Sequence, residues 1–581
     1  VIAVFAPKPD RPSSESRRRA QVPSFHPAKT TPLGISHRKA LFTVDSIAYF
    51  DCACYLGRNL HTGSGQPSTP DALLSAMDHF GIHEALVIDA ICASTGARAG
   101  NRRILEFAKD HPRLHPAWAG MMTHAKELPP PDALVAEMCD LGVGALYLFY
   151  KQFDIPLEDW AVDDLLAVLE ENNVPLFLCP NNLLENGRID VTDWPNVVRL
   201  CRKFPKLPVV VTENRIYRSQ RPLYEALAAC PNLKLDLSSI WLNKRVEFIC
   251  REFGAEHLVW GSQLPARTPG SPLMQLNYSD ISADELTMIA GGNMRRMLSW
   301  NPNIEFVAEQ VTLPEPVDSL HKVVRERISL RDERFYDCHG HIGWSSPYHV
   351  INDTPETIVA EMDKFGIEVA CAFSIQIVGD VAFGNDEVME VVNQFPSRFI
   401  PFTLLNPYHG EAAMLEELER GLAMGMMGVK LMLNSYACYD VHGPLVDVAC
   451  KFANDHKQFI LSHHWGPPAR IQQLCTDNPD ALFISGHSAG DYGEVTRAVD
   501  NLYICTCPFL AWGQTEAWVD IYGADKILFG SDLTDLPISW GLGQIMYSTI
   551  SEADKRKILG ENLLGLMQRW DIFPAASPAG A

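Results

Sequence analysis

A chain of 581 residues is too long for one hydrophobic core, and 47% apolar against 21% charged residues is the balance of globular domains that need neither disulfides nor a bilayer. A formal charge of −22 argues against a nucleic-acid surface, which needs clustered Lys and Arg, and no apolar run approaches the ~18 residues of a membrane span. The 15 cysteines are odd in number, scattered and free of any C-x-x-C pair, so neither a disulfide framework nor a Cys-type zinc site is indicated, and a reducing, cytoplasmic setting with a small-molecule substrate is expected.

Residues 1–40 carry eight Lys/Arg against two Asp/Glu, with six prolines from Pro7 to Pro32, a composition that predicts a disordered tail. From 41 to 300, short β-branched or apolar runs alternate with helical stretches: Glu84–Asp89, Leu114–Trp118, Ala145–Phe149, Pro175–Leu178, Pro208–Val211, Leu233–Leu237 and His257–Trp260. Residues 301–330 are punctuated by proline and read as a linker. From 331 to 575 the alternation resumes with Arg334–Asp337, Val369–Ile375, Phe399–Thr403, Gly428–Met432, Phe459–Ser462, Leu482–Ser485, Leu502–Cys505 and Ile527–Gly530. Eight such strands close a (β/α)8 barrel, and between them Ile358, Val359, Met362 and Phe365 recur at helical spacing. The fold class expected is α/β, as two tandem TIM barrels.

The two series are copies of one sequence. Phe335-Tyr-Asp-Cys-His-Gly-His341 answers Tyr49-Phe-Asp-Cys-Ala-Cys-Tyr55, and Ile527-Leu-Phe-Gly-Ser-Asp-Leu533 answers Leu258-Val-Trp-Gly-Ser-Gln-Leu264. Barrel enzymes carry their chemistry at the carboxyl ends of the strands. In the second copy Asp337, His339 and His341 end strand 1, His463 and His464 end strand 5, His487 follows strand 6 and Asp532 ends strand 8. Alternate residues of an extended segment face the same way, so His339 and His341 can share one ion. Cys52/Cys54 and Cys505/Cys507 form C-x-C pairs, read as buried thiols with a soft-metal site as the alternative.

These residues resemble the amidohydrolase superfamily, in particular the amidohydrolase-related group that includes aminocarboxymuconate-semialdehyde decarboxylase. The resemblance runs from 335 to about 567 through Asp-Cys-His-Gly-His, Ser-His-His-Trp-Gly (462–466), Gly-His-Ser-Ala-Gly (486–490), Phe-Gly-Ser-Asp (529–532) and Leu-Gly-Glu-Asn-Leu (559–563). It implies a divalent metal on His339, His341, His463 and Asp532, with His463 preferred to His464 by the family's His-x-Trp pattern. It implies one Zn2+, with Mn2+ as the alternative. His487 is implied as acid/base or as ligand to a second ion, and Lys430 as a cation for a substrate carboxylate or, carboxylated, as a bridge. The implied activity is hydrolysis of an amide, ester or lactone of a small carboxylated molecule by metal-activated water. Non-oxidative decarboxylation of an unsaturated or aromatic acid is the alternative.

The first copy lacks this set. Ala53 and Tyr55 replace the two histidines, Cys179 or Pro180 falls at the strand-5 position, Asn214 near the strand-6 histidine, Gln263 at the aspartate and Tyr147 at Lys430. A catalytically silent barrel is expected, packed on its partner as an intramolecular pseudo-dimer, with a homo-oligomer of the whole chain also compatible.

Overall fold

The computed structural model describes residues 47–58, 65–180, 191–213, 220–345, 348–351, 354–376, 379–433, 439–486, 492–507 and 511–574. The expected tail at 1–40, His487 and Asn214 lie outside them.

Two eight-stranded parallel sheets form, each with its strands in sequential order and helices between them. The first contains β1 (Tyr49–Leu56), β2 (Ile82–Asp89), β3 (Leu114–Ala119), β4 (Ala145–Leu148), β5 (Leu176–Leu178), β6 (Val209–Val211), β7 (Leu233–Asp236) and β8 (Leu258–Val259). The second contains β9 (Phe335–Ile342), β10 (Ile367–Ser374), β11 (Phe399–Leu404), β12 (Gly428–Leu431), β13 (Phe459–Ser462), β14 (Leu482–Ser485), β15 (Leu502–Cys505) and β16 (Ile527–Leu528). Backbone bonds bring first and last strands together: Cys52 N–H donates to Trp260 O at 3.0 Å, and Cys338 N–H to Phe529 O at 2.8 Å. These are the two tandem TIM barrels that the sequence predicts.

Local signals recur in both copies. Thr354 and Thr357 form a capping box ahead of Pro355, and the helix Pro355–Lys364 buries Ile358, Val359 and Met362. Thr69 and Pro70 open the corresponding helix of the first barrel, where Thr69 accepts from Ala72 N–H. Inside the second barrel Cys338, Phe373, Phe402, Leu461, Ile484 and Cys505 fill the centre; in the first, Cys52, Ile88, Tyr147, Phe177 and Val210 do so.

The segment 301–330 is a packed connection. Its helix Ser319–Arg325 is capped by Asp318 and buries Leu320, Val323 and Val324. Lys555 of the second barrel bonds Asp318 at 2.6 Å, and Arg325 donates to His79 O of the first at 2.8 Å.

The barrels meet through paired contacts. Asn243 N–H donates to Asp535 O at 3.1 Å, and Trp512 N–H to Ala266 O at 3.4 Å; Asn243 and Trp512 occupy matching positions in the two copies, as do Ala266 and Asp535. Phe80 lies 5.5 Å from Tyr547, and the matching Phe365 5.8 Å from Tyr278. The helices Gly270–Asn277 and Ile538–Met546, buried along their lengths, cross where a Cβ on Gly543 would stand 2.3 Å from Gly270 O. Such reciprocity is what a twofold contact between two copies produces.

Candidate metal centre

Strand β9 does not run straight to its histidines. Against β10, Asp337 pairs with Ala370 and Gly340 with Ala372, so three steps on one strand meet two on the other, which is a bulge. The same shift occurs in β1 between Asp51 and Cys54. His339 lies within the bulge and His341 just beyond it, 0% and 4% exposed.

Asp337, one of the metal-capable residues in the sequence, is committed elsewhere. It accepts from His339 N–H at 2.9 Å, Ser531 N–H at 3.1 Å and the Ser531 hydroxyl. Asp51 accepts equivalently from Ala53 N–H and Ser262 N–H, each at 3.0 Å, and from the Ser262 hydroxyl, in a barrel that has no histidine pair. This carboxylate ties the first strand to the last in both copies. Burial, opposed by these bonds, pushes Asp337 up to about 7.

Asp532 holds a left-handed backbone, φ 60°, a conformation that L-residues adopt only where surrounding structure enforces it. It places Oδ1 3.1 Å from His339 Nε2 and 3.4 Å from His341 Nε2. The donor atoms of His339, His341 and His463 all lie within 4.8 Å of one another. His463 is half-buried while the next residue, His464, turns outward and accepts from Gly466 N–H at 2.9 Å. Trp465, fully buried with its indole N–H on Ile484 O, anchors that turn.

The residues present fit a divalent ion. Donors about 2.1 Å from a tetrahedral ion stand roughly 3.4 Å apart, close to the spacing that Asp532 Oδ1 keeps to the two imidazoles. Three imidazoles and a carboxylate are also the borderline donor set that zinc accepts. Gly530 leaves the room: a Cβ there would sit 2.8 Å from His339 Cβ and 2.4 Å from Cys505 Sγ.

Two neighbours of His339 are chemically informative. Lys430 Nζ is fully buried, 3.3 Å from His339 Nε2 and 4.1 Å from the Phe373 ring centre, and burial pushes it down to about 7. On the other ring nitrogen, Cys507 Sγ lies 2.8 Å from Nδ1, with Cys505 at 3.8 Å. His339, Cys505 and Cys507 thus form a second group of converging donors that shares the ring through its opposite nitrogen. The sequence shows the C-x-C pair but not this partnership, since residues 339 and 507 are joined only by the closure of the barrel.

At the mouth of the first barrel, strand register matches Tyr147 to Lys430, Phe177 to Leu461 and Val210 to Ile484. The counterpart of His463 is therefore Cys179, not Pro180, and counting on from the same register makes Glu213 rather than Asn214 the counterpart of His487 in the sequence. Tyr147 stacks on Phe177 at 4.5 Å and donates to Cys52 O at 2.8 Å, while Cys179 Sγ lies 2.8 Å from the Thr212 hydroxyl. Gln263 keeps φ 60° without a carboxylate. Among the described residues both converging donor groups lie in the second barrel, and Cys52, Cys54 and Cys179 form none.

A family described as amidohydrolase matches residues 63–300 and again 336–562. The first match starts beyond Ala53 and Tyr55; the second spans both histidines of β9. The chain matches no curated protein in sequence. Among solved structures, an amidohydrolase from Burkholderia multivorans is 17% identical with a TM-score of 0.34, covering 43% of this chain and 99% of its own. The 2,6-dihydroxybenzoate decarboxylase from Rhizobium is 18% identical with a TM-score of 0.32, covering 41% of this chain and 98% of its own. A 4-oxalomesaconate hydratase from Rhodopseudomonas palustris is 15% identical with a TM-score of 0.31, covering 41% of this chain and 96% of its own. With both barrels matched by one family over most of the chain, this protein belongs to the amidohydrolase family.

Proposed function

We propose that the second barrel is a metal-dependent hydrolase site acting on an amide, ester or lactone of a small carboxylated molecule, and that the first barrel is catalytically silent. The observation that carries this reading is the approach of His339, His341 and Asp532 to one point, with His463 alongside. We assign His339, His341, His463 and Asp532 as ligands of one divalent ion, zinc by preference and manganese as the alternative. A divalent ion supplies Lewis acidity, polarising a carbonyl or carboxylate oxygen and acidifying water.

The chain's own residues do the rest. Asp532 accepts a proton at its carboxylate, and His487 is the second acid/base candidate, two residues beyond β14. Lys430 seats a substrate carboxylate when protonated, its Nζ lying 4.1 Å from the centre of the buried Phe373 ring. That buried cation is also what favours a second reading, decarboxylation, because it would bring a carboxylate beside the site. No helix among the described residues is long and apolar enough to cross a membrane, and a cytoplasmic, small-molecule role is proposed.

Metal analysis of the purified chain, alongside the His339→Ala/Asp532→Asn double variant, tests the site. About one ion per wild-type chain and none in the variant is expected; equal metal in both would overturn the ligand assignment. A substrate panel scored for both acid release and carbon dioxide release then separates the two reactions.

A further inference from the structure

The first barrel does not merely lie beside the second; it reaches into the loop that leaves β9 just after His341. Arg245, at the start of the helix Arg245–Glu252 in the first barrel, is 1% exposed. Its fork donates to His349 O at 2.7 Å and lies 3.1 Å from His349 Nδ1, on the second barrel's loop. The same guanidinium bonds the Tyr224 hydroxyl, and Gln220 Oε1 accepts both from it at 3.4 Å and from His349 N–H at 2.9 Å. Tyr224 and Phe248 flank the His349 ring at 5.7 and 5.5 Å. Beside this, Leu242 of the first barrel packs with Tyr348, Val350 and Ile375 of the second.

The two copies differ at this position. At the position matching Arg245 the second barrel has Gln514, whose side-chain carbonyl accepts from Ala511 N–H within its own barrel. The hydrogen-bond partners of Arg245 among the described residues are neutral, and burial pushes it down to about 9. A buried cation with neutral partners is a poor source of stability, because desolvation is not repaid by a counter-charge. A rigid fork that holds a backbone carbonyl and a ring nitrogen together is, however, well suited to fixing a loop.

We propose that Arg245 is a positioning residue for the site in the other barrel: it clamps His349 and so fixes Tyr348–Ile351, the stretch that begins seven residues beyond His341, against the first barrel. This rests on the metal reading of the mouth for its consequence, but the clamp itself is a property of the two barrels. Loosening it frees Tyr348–Ile351 and, through the chain leading back to His341, weakens the hold on the ion.

The test uses the full chain, as wild type, Arg245→Met, His349→Ala and the double variant. Amide hydrogen exchange of peptides covering 343–351 is followed, and zinc-loaded protein is mixed with a colorimetric chelator to time metal release. Each single variant is expected to raise exchange at Tyr348–Ile351 more than tenfold and to speed zinc release severalfold, with the double variant no worse than either single. Unchanged exchange in folded Arg245→Met, or a rise spread evenly over both barrels, overturns the clamp. If Arg245→Met does not fold, His349→Ala removes the ring that Arg245, Tyr224 and Phe248 hold, while keeping the bonds at its backbone, and decides the matter by the same readout. If wild type binds no zinc, the metal reading fails, and the exchange measurement still judges the clamp.

Discussion

Cys507 should control metal affinity without touching the metal. If His339 ligates through Nε2, its Nδ1 carries the hydrogen, and the nearest acceptor is Cys507 Sγ at 2.8 Å, with both residues buried. Cys507→Ala would leave a buried ring N–H without that acceptor, a penalty of about 1–3 kcal/mol. At about 1.4 kcal/mol per decade this weakens zinc binding roughly 5- to 150-fold, in line with the 10- to 100-fold typical of groups that orient metal-bound histidines. Cys505→Ala is the internal control. Its sulfur stands 3.8 Å from the same nitrogen, so its removal should cost no more than a few-fold. Competition against a calibrated zinc chelator measures both variants, and circular dichroism confirms that each is folded. Equal losses in the two variants, or none in Cys507→Ala, would refute the argument that this thiol fixes the tautomer of His339.

Gly543→Ala forces a Cβ to within 2.3 Å of Gly270 O, so the crossing helices must part; overpacking of this kind costs about 1–3 kcal/mol, read by thermal denaturation, and stability within 0.5 kcal/mol or so of wild type would argue against a rigid crossing. Asp236 is fully buried in the first barrel and pushed up to about 6, chiefly by desolvation. A raised carboxylate stabilises the fold fully only below its unfolded pKa near 4 and loses that contribution as pH rises through 6. The gap is worth about 3 kcal/mol, so Asp236→Asn should flatten the fall in chemical-denaturation stability between pH 4 and 7, and parallel profiles would count against it. Placing histidines at Ala53 and Tyr55 should leave zinc stoichiometry unchanged, because Gln263 still replaces the carboxylate and burial pushes the Cys179 thiol up to about 12, keeping it protonated against the Thr212 hydroxyl; a second equivalent of zinc would show that the first mouth can be restored by two residues.

Strands, barrels and the candidate ligand positions were legible because each depends on local pattern. A short apolar run names a strand, and His339, His341, His463 and Asp532 sit where such runs end. What escaped depends on contacts between distant segments. The role of Asp337 emerges only when β16 brings Ser531 against it, and the matching bond from Ser262 to Asp51 shows that this duty does not require metal. The bulge in β9 carries no marker in a run as ordinary as Phe335–Ile342. The packed helix Ser319–Arg325 did have a signal, Asp318 as cap with Leu320, Val323 and Val324 on one face, but the surrounding prolines made the segment read as a plain connection. Nothing near Arg245 in the sequence points to His349, since that contact exists only once two barrels have formed and docked.

The two mouths share a frame and differ in what hangs on it. Gln263 and Asp532 have the same left-handed backbone, although only the aspartate can present a carboxylate. If metal binding alone maintained that strained turn, the first copy would have been free to relax it. The turn leads instead to Ala266 and Asp535, whose carbonyls accept the paired bonds across the barrels. In both copies the turn is also fixed from within its own barrel, by Tyr55 N–H on Leu264 O and by His341 N–H on Leu533 O, so the candidate metal site of the second uses a turn that needs no metal to form. On this account, loss of ligands from the first barrel costs the assembly little. Loss of its loops after β7 and β8 would disturb the turn bearing Asp532 in the other half.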